Sequence, residues 1–181
     1  MREDLKNAYK TERLVLAPVT IDDALDMFEY SSVPENAYYV FETNHSLDET
    51  KNIINKIFIE NGLGKYGIFL DNKLIGTIYF LNMDDHNKTA ELSYVLNKKF
   101  EGKGYATEAA EKLRDIFFED LSGERLYARH TLDNIKSMNL MARIGMKIEG
   151  NLRKAYYFHG RQVDLAIWSI TRDDLEVERR Q

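Results

Sequence analysis

The chain has no cysteine in 181 residues, which excludes disulfides, thiolate metal sites, iron–sulfur clusters and a cysteine nucleophile. Two prolines and ten glycines are too few for a collagen-like or a long disordered stretch. A long hydrophobic run is also missing. The longest, residues 37–41 (AYYVF), falls far short of the roughly 18 residues a membrane span needs. The chain opens Met-Arg-Glu-Asp without a hydrophobic signal core, so a cytoplasmic protein with no membrane partner is expected. Basic charge is not in excess, since 25 Lys and Arg face 30 Asp and Glu for a net charge of −5. A nucleic-acid backbone needs a basic face, so no nucleic-acid partner is expected. A cationic small molecule or a basic protein suits the surface better.

What is present fits a soluble globular chain, with 44% hydrophobic and 30% charged residues. The length suits one domain, and no repeat, low-complexity tract or linker divides residues 1–181. Residues 13–19 (RLVLAPV) read as a strand stopped at Pro18, which gives a ladder no N–H. Thr20 to Asp23 start a helix with Ile21, Ala24, Leu25 and Phe28 on its apolar side. Ser46 or Asp48 can cap a second helix bearing Ile53, Ile54, Ile57 and Phe58. Tyr66, Ile68 and Leu70 alternate with small or polar partners, Asp71-Asn72 turn the chain, and residues 73–83 return as a hairpin. Residues 91–96 (ELSYVL) and 125–131 (RLYARHT) are further strands. Between them Ala106, Ala109, Ala110, Leu113, Ile116 and Phe117 mark an amphipathic helix. Residues 134–144 form a short helix stopped at Gly145, and residues 146–157 and 161–170 a last hairpin. The tail, residues 173–181, reads as a solvated end. This order predicts an α/β (α+β) fold with a mixed, mostly antiparallel seven-stranded sheet and helices on both faces.

The most informative stretch is residues 99–107 (KFEGKGYAT), a glycine turn between a strand and a helix. Glycines let backbone N–H groups converge on one point, and the helix dipole adds positive potential, an arrangement suited to phosphate. Lys103 and the Thr107 hydroxyl can add donors. It is neither a Walker loop nor a dinucleotide fingerprint, because the lysine and third glycine those motifs require are absent. Read alone, the stretch fits a plain strand-to-helix turn equally well.

Glu101-Gly102-Lys103-Gly104-Tyr105-Ala106 resembles the Q/R-x-x-G-x-G/A acetyl-coenzyme A signature of the GNAT superfamily of N-acetyltransferases. Asn134-x-x-Ser137, then Gly145-Met146 and Glu149-Gly150, resembles the N-x-x-S…G-F…E-G segment of the branch that holds the ribosomal-protein N-terminal acetyltransferases. Leu152-Arg153, Gly160, Asp164 and the opening residues 11–16 (TERLVL) fit the same branch, so the resemblance spans nearly the whole chain. It implies a sheet splayed between its fourth and fifth strands, ELSYVL and RLYARHT, and acetyl-coenzyme A as co-substrate. The pantetheine arm is then expected along Tyr94, Val95 and Leu96, and the pyrophosphate on Gly102, Lys103, Gly104, Tyr105, Ala106 and Thr107. Asn134 and Ser137 are expected beside the arm, and Arg143 near the adenosine phosphate. Glu101 departs from the family's Gln or Arg and puts a mildly unfavourable carboxylate beside a pyrophosphate. A homodimer is implied only by family habit.

Acetyl transfer from a thioester to an amine requires a neutral acceptor, a donor for the oxyanion and a proton for the sulfur. Neutralising a lysine-like amine at pH 7 costs roughly 4 kcal/mol, whereas an α-amine costs only about 1 kcal/mol. Glu91, at the start of the strand leading to the thioester, is the first candidate base, against the plainer reading of a strand glutamate in a surface ion pair. An N–H near Val95 would hold the oxyanion, as the resemblance implies. Many relatives place a tyrosine four residues before the glycine to protonate the sulfur, but here Met141 stands there. Ser137 is the candidate substitute, against a helix serine bonding to backbone, with Tyr156 second. His45, His86, His130 and His159 show no ligand spacing, so no metal is expected. His130, Asp133 and Ser137 lack the G-x-S-x-G elbow of a hydrolase. The leading expectation is acetylation of a protein α-amine, ribosomal proteins first. A polyamine or aminoglycoside acceptor, and a non-catalytic acyl-coenzyme A sensor, are the alternatives.

Overall fold

The computed structural model describes residues 3–39 and 41–178. Met1 and Arg2 of the opening, Val40 of the aromatic run and residues 179–181 of the tail lie outside the described residues. The strands are β1 (Tyr9–Lys10), β2 (Val15–Ala17), β3 (Lys65–Leu70), β4 (Lys73–Asp84), β5 (Thr89–Leu96), β6 (Arg125–Thr131), β7 (Lys147–Phe158) and β8 (Arg161–Thr171). They form one sheet in the order β1-β2-β3-β4-β5-β6-β8-β7. Among the registered pairs only β5–β6 is parallel. The eighth strand, beyond the seven expected, is the two-residue β1, too short to show alternation. The first expected strand shrinks to Val15–Ala17, bounded by Pro18 on its far side. The parallel ladder of β5 with β6 stops at Glu91↔Tyr127 after three residue pairs, the short pairing expected of strands that part.

Two compact units are distinguished, Met1–Phe80 with Ser93–Leu113 and Leu81–Leu92 with Arg114–Gln181. In the first, the helices are α1 (Ala24–Ser31), α2 (Pro34–Ala37), α3 (Leu47–Ile53) and α4 (Tyr105–Asp115). Thr20 and Asp23 close a capping box ahead of α1, and Ser46 caps α3 by accepting from Glu49 N–H. The core face of α1 is Ala24, Met27 and Tyr30, while Leu25 is 69% exposed. Leu25 departs from the expected apolar side because it follows Ala24 by about 100° around the helix and so lies well off the Met27 direction. The chain after α3 widens into a π-type turn over Ile54–Ile59, which buries Ile54 and Phe58 and leaves Ile57 outside. These side chains pack with Val19, Leu74 and Val95 in one cluster, with Phe41 against it. Tyr38 and Tyr39 are exposed. The β3–β4 turn is the expected one, with positive φ at Asp71 and Asn72, as a two-residue hairpin requires.

In the second unit, α5 (Ile135–Arg143) ends as expected at Gly145, φ 84°. Gly145 N–H donates to Ala142 O and Met146 N–H to Met141 O, the paired bonds of a Schellman cap. Residues 173–178 of the tail are not a solvated end. They lie in α6 (Arg172–Glu178), where Asp174 accepts from Thr171 N–H and Oγ1, Lys147 pairs with Asp174, and Leu175 is buried. Among the described residues no helix is long and apolar enough to cross a membrane.

One ion-pair network on the first unit makes its stability depend on acid. Lys99 and then Lys73 hold the Glu29 carboxyl down at about 2, at 2.9 Å each. A carboxyl depressed on folding stabilises the fold above its unfolded pKa, near 4.3. That contribution is lost as pH falls from about 5 through 2. Thermal unfolding midpoints taken between pH 6 and pH 2.5 are expected to fall more steeply for the parent than for Glu29→Gln.

Candidate active site

Gly102 and Gly104 hold φ of 76° and 83°, in the left-handed region where a side chain is strained. They bend the chain so that α4 begins at Tyr105. The first helical bond runs from Glu108 N–H to Gly104 O at 3.0 Å, so the amides of Tyr105, Ala106 and Thr107 precede any partner inside the helix. Gly102, Lys103 and Gly104 are exposed, and a Cβ on Gly102 would meet nothing within 4 Å. This is an open, amide-lined bend.

Arg13 fixes the bend from behind. Its Nη1 donates to Lys103 O at 2.9 Å, its Nε to Glu108 Oε2 at 2.7 Å, and its guanidinium lies 4.6 Å over the Tyr105 ring. The Glu108 Oε1 accepts from Thr11 Oγ1 and from Arg13 N–H. Burial pushes the Glu108 carboxyl up, but these hydrogen bonds outweigh it and the group sits below its ordinary value. Residues 11–13 belonged to the sequence resemblance, yet their grip on the bend was not foreseen.

Of the β5 residues, Val95 and Leu96 are buried and Tyr94 half-buried. Asn97 N–H donates to Ile75 O, and a Cβ on Gly76 would lie 2.3 Å from Val95 O. Only glycine therefore lets this end of β5 approach β4. Leu96 O accepts from Asn36 Nδ2 at 2.9 Å, so α2 already occupies one lone pair of a carbonyl assigned to the arm.

Glu91 is neither exposed nor free, being 6% exposed. Its Oε1 accepts from Arg129 Nε, and its Oε2 from Arg129 Nη2 and Asn82 Nδ2, all at 2.8 Å. The ion-pair reading of this residue is thus part of the answer, though the pair is buried on the carboxylate side. That bond to Glu91 is also the main cause raising the Arg129 pKa. Three of about four lone-pair sites on the carboxylate are taken. Strand alternation would have brought Arg129 to mind, because β6 places it on the same face as Tyr127, the residue opposite Glu91.

On the second unit, Asn134 caps α5, its Oδ1 accepting from Ser137 N–H at 3.1 Å. The Asn134 amide therefore offers Nδ2 as its donor to a ligand. Ser137 is half-buried on the first turn, and Arg143 is exposed on the last. Met141 is 2% exposed, a core side chain with no proton to give. Tyr156 is 51% exposed on β7. His130 does not turn to Asp133 or Ser137, because its Nδ1 lies 2.8 Å from Thr131 O. Among the described residues no group of three or more His, Cys, Asp or Glu could hold a metal ion.

Comparison with known proteins gives a consistent grouping. A family model described as an acetyltransferase (GNAT) domain matches residues 13–147. A Bacillus licheniformis protein, named as the uncharacterized N-acetyltransferase p20, is 31% identical over 166 residues, covering 88% of this chain and 93% of that one. YdaF of Bacillus subtilis, whose name proposes a ribosomal N-acetyltransferase, is 36% identical over 119 residues, 66% of this chain and 64% of its own. The spermidine N(1)-acetyltransferase of Vibrio cholerae is 25% identical over 130 residues, 71% and 75%. A GNAT-family acetyltransferase structure from Bacillus anthracis superposes with a TM-score of 0.84 at 28% identity, covering 92% of this chain and 99% of that one.

Breaking the Glu91–Arg129 pair from one side leaves a buried carboxylate without its cation. Arg129→Met is expected to lower stability by about 2 kcal/mol, below the usual cost of breaking a buried pair because Arg129 is partly exposed. Urea unfolding of Arg129→Met beside the double variant Glu91→Gln, Arg129→Met checks this. The double variant should recover part of the loss, and equal midpoints for the parent and Arg129→Met would refute it.

Proposed function

Because the chain belongs to the GNAT family of N-acetyltransferases, we propose that it moves an acetyl group from acetyl-coenzyme A to the α-amine of a protein N-terminus, acting in the cytoplasm, with a ribosomal protein as the leading acceptor. The observation that carries the reading is the bend at Gly102 and Gly104, where open space beside Gly102, left-handed glycines and the first amides of α4 meet. Backbone N–H groups at a helix N-terminus hold phosphate oxygens well, so this part of the chain fits the diphosphate of coenzyme A. Lys103 and Thr107 would add donors there. Tyr94, Val95 and Leu96 would hold the arm through backbone, with Asn134 Nδ2, Ser137 and Arg143 as further contacts. Acetyl-coenzyme A supplies an activated acyl carbon as a thioester.

Glu91 is proposed as the base, acting through water. With Arg129 and Asn82 holding three lone-pair sites, one site on Oε1 is left to accept a relayed proton. An α-amine needs only about 1 kcal/mol to become free base at pH 7, against roughly 4 kcal/mol for a lysine-like amine. The first acceptor needs little help from a base and the second needs more. This favours a peptide N-terminus over a polyamine, in line with the name of the YdaF relative. The amine lone pair forms the N–C bond and the C–S electrons leave with sulfur; Ser137 is proposed to pass a proton to the sulfur in place of the buried Met141, and the proton that the new amide nitrogen sheds restores the Ser137 hydroxyl through water. An amide near Val95 is proposed to steady the carbonyl oxygen.

Calorimetry with coenzyme A, followed by turnover on N-terminal peptides of ribosomal proteins and on spermidine, tests the reading. Binding is expected with the parent, and weaker binding by about tenfold for Gly104→Ala, whose φ is costly for any side chain. Glu91→Gln should lower kcat about 100-fold with little change in cofactor KM. Absence of heat with coenzyme A sinks the proposal. Binding without transfer to any amine makes the chain a sensor, and faster turnover of spermidine than of peptides replaces the acceptor.

A further inference from the structure

His130 is 7% exposed, and its imidazole is held by one hydrogen bond. Its Nδ1 lies 2.8 Å from Thr131 O. A carbonyl only accepts, so Nδ1 carries a proton, and in the neutral tautomer that this bond selects Nε2 is a bare acceptor. That Nε2 is buried with no partner among the described residues, as is Nε1 of Trp168, whose ring centroid is 6.3 Å away. A leucine would fill the same space without stranding a buried acceptor. An unpaired buried group of this kind calls for an explanation, and the one bond His130 does make supplies it.

Thr131 O also accepts from Asn134 N–H at 2.9 Å. Its two lone pairs are thus shared between the His130 ring and the amide of the residue that opens α5. Asn134 in turn spends Oδ1 on Ser137 N–H and its carbonyl on Met138 N–H. The chain of contacts runs from His130 to the Thr131 carbonyl, on to the Asn134 backbone, and so to Ser137. We infer that His130 is a positioning residue, which fixes the Thr131 carbonyl and thereby the direction of the Asn134 amide and the Ser137 hydroxyl. It touches no substrate. The inference rests on the reading above that Asn134 and Ser137 serve the acetyl donor, but its first test does not.

Three variants separate the two nitrogens. Asparagine at 130 carries an N–H where Nδ1 stands, glutamine carries its amide where Nε2 stands, and leucine carries neither. In the protein without ligand, amide hydrogen exchange at residues 134–138 is expected to rise about tenfold in His130→Leu and His130→Gln and to stay near the parent rate in His130→Asn. With acetyl-coenzyme A and the acceptor peptide, His130→Leu and His130→Gln should raise the cofactor KM about tenfold, and His130→Asn should restore it to within about threefold. Trp168 is the one tryptophan in the chain, so its emission and the thermal midpoint report whether each variant keeps its fold. Unchanged exchange in His130→Leu overturns the inference, as does His130→Asn behaving like His130→Leu. If the parent neither binds coenzyme A nor turns over, the functional reading falls while the exchange result still decides the role of His130.

Discussion

The guanidinium of Arg13 is the contact on which the glycine bend depends. A bend built from two left-handed glycines has many alternatives open to it, because glycine loses more freedom on folding than any other residue. Arg13 removes them by taking Lys103 O, stacking on Tyr105 and pairing with Glu108. Its bond to Lys103 takes up a carbonyl of the bend, while the amides that open α4 precede the first helical bond. Glu108 in the first turn suits the positive end of the helix dipole, yet alone it would repel a diphosphate. Its pairing with Arg13 and Thr11 answers that repulsion without removing the carboxylate from the helix end.

A second constraint sits on the start of β5. A carboxylate with 6% exposure is tolerable only if its charge is met, and the fork of Arg129 with the amide of Asn82 meets it. In the proposed reading this leaves one site on the base for the relay water. Met141 is buried where many relatives have a tyrosine, so the proposed reading assigns the proton for the sulfur to Ser137 on the first turn of α5.

Much of this was legible in the sequence where the cause is local. The Asp71-Asn72 turn, the Ser46 cap, the Gly145 terminator and the apolar stripe of α4 each rest on residues within one turn or hairpin. The glycine bend was legible for the same reason. What escaped reading rests on distant pairs: Arg129 meets Glu91 across 38 residues, and Arg13 meets Glu108 across 95. No periodicity announces the second, and strand alternation points to the first only once β5 and β6 are paired. The tail misled by composition, since its charges hide that Thr171 and Asp174 cap a helix and that Leu175 is buried. Leu25 misled by adjacency, because one residue of phase turns an apolar side chain from core to solvent.

The α2 segment and the end of β5 are held together by a side-chain amide. Asn36 on α2 donates to Leu96 O, so the segment carrying the exposed Tyr38 and Tyr39 is tied to the end of the strand proposed to hold the arm. A change in that segment is then felt at β5 through one side-chain amide. A carbonyl keeps a second lone pair, so this tie and a ligand can share Leu96 O. In the proposed reading, the α2 segment and the acyl donor meet at Leu96 O, the first through the Asn36 side-chain amide.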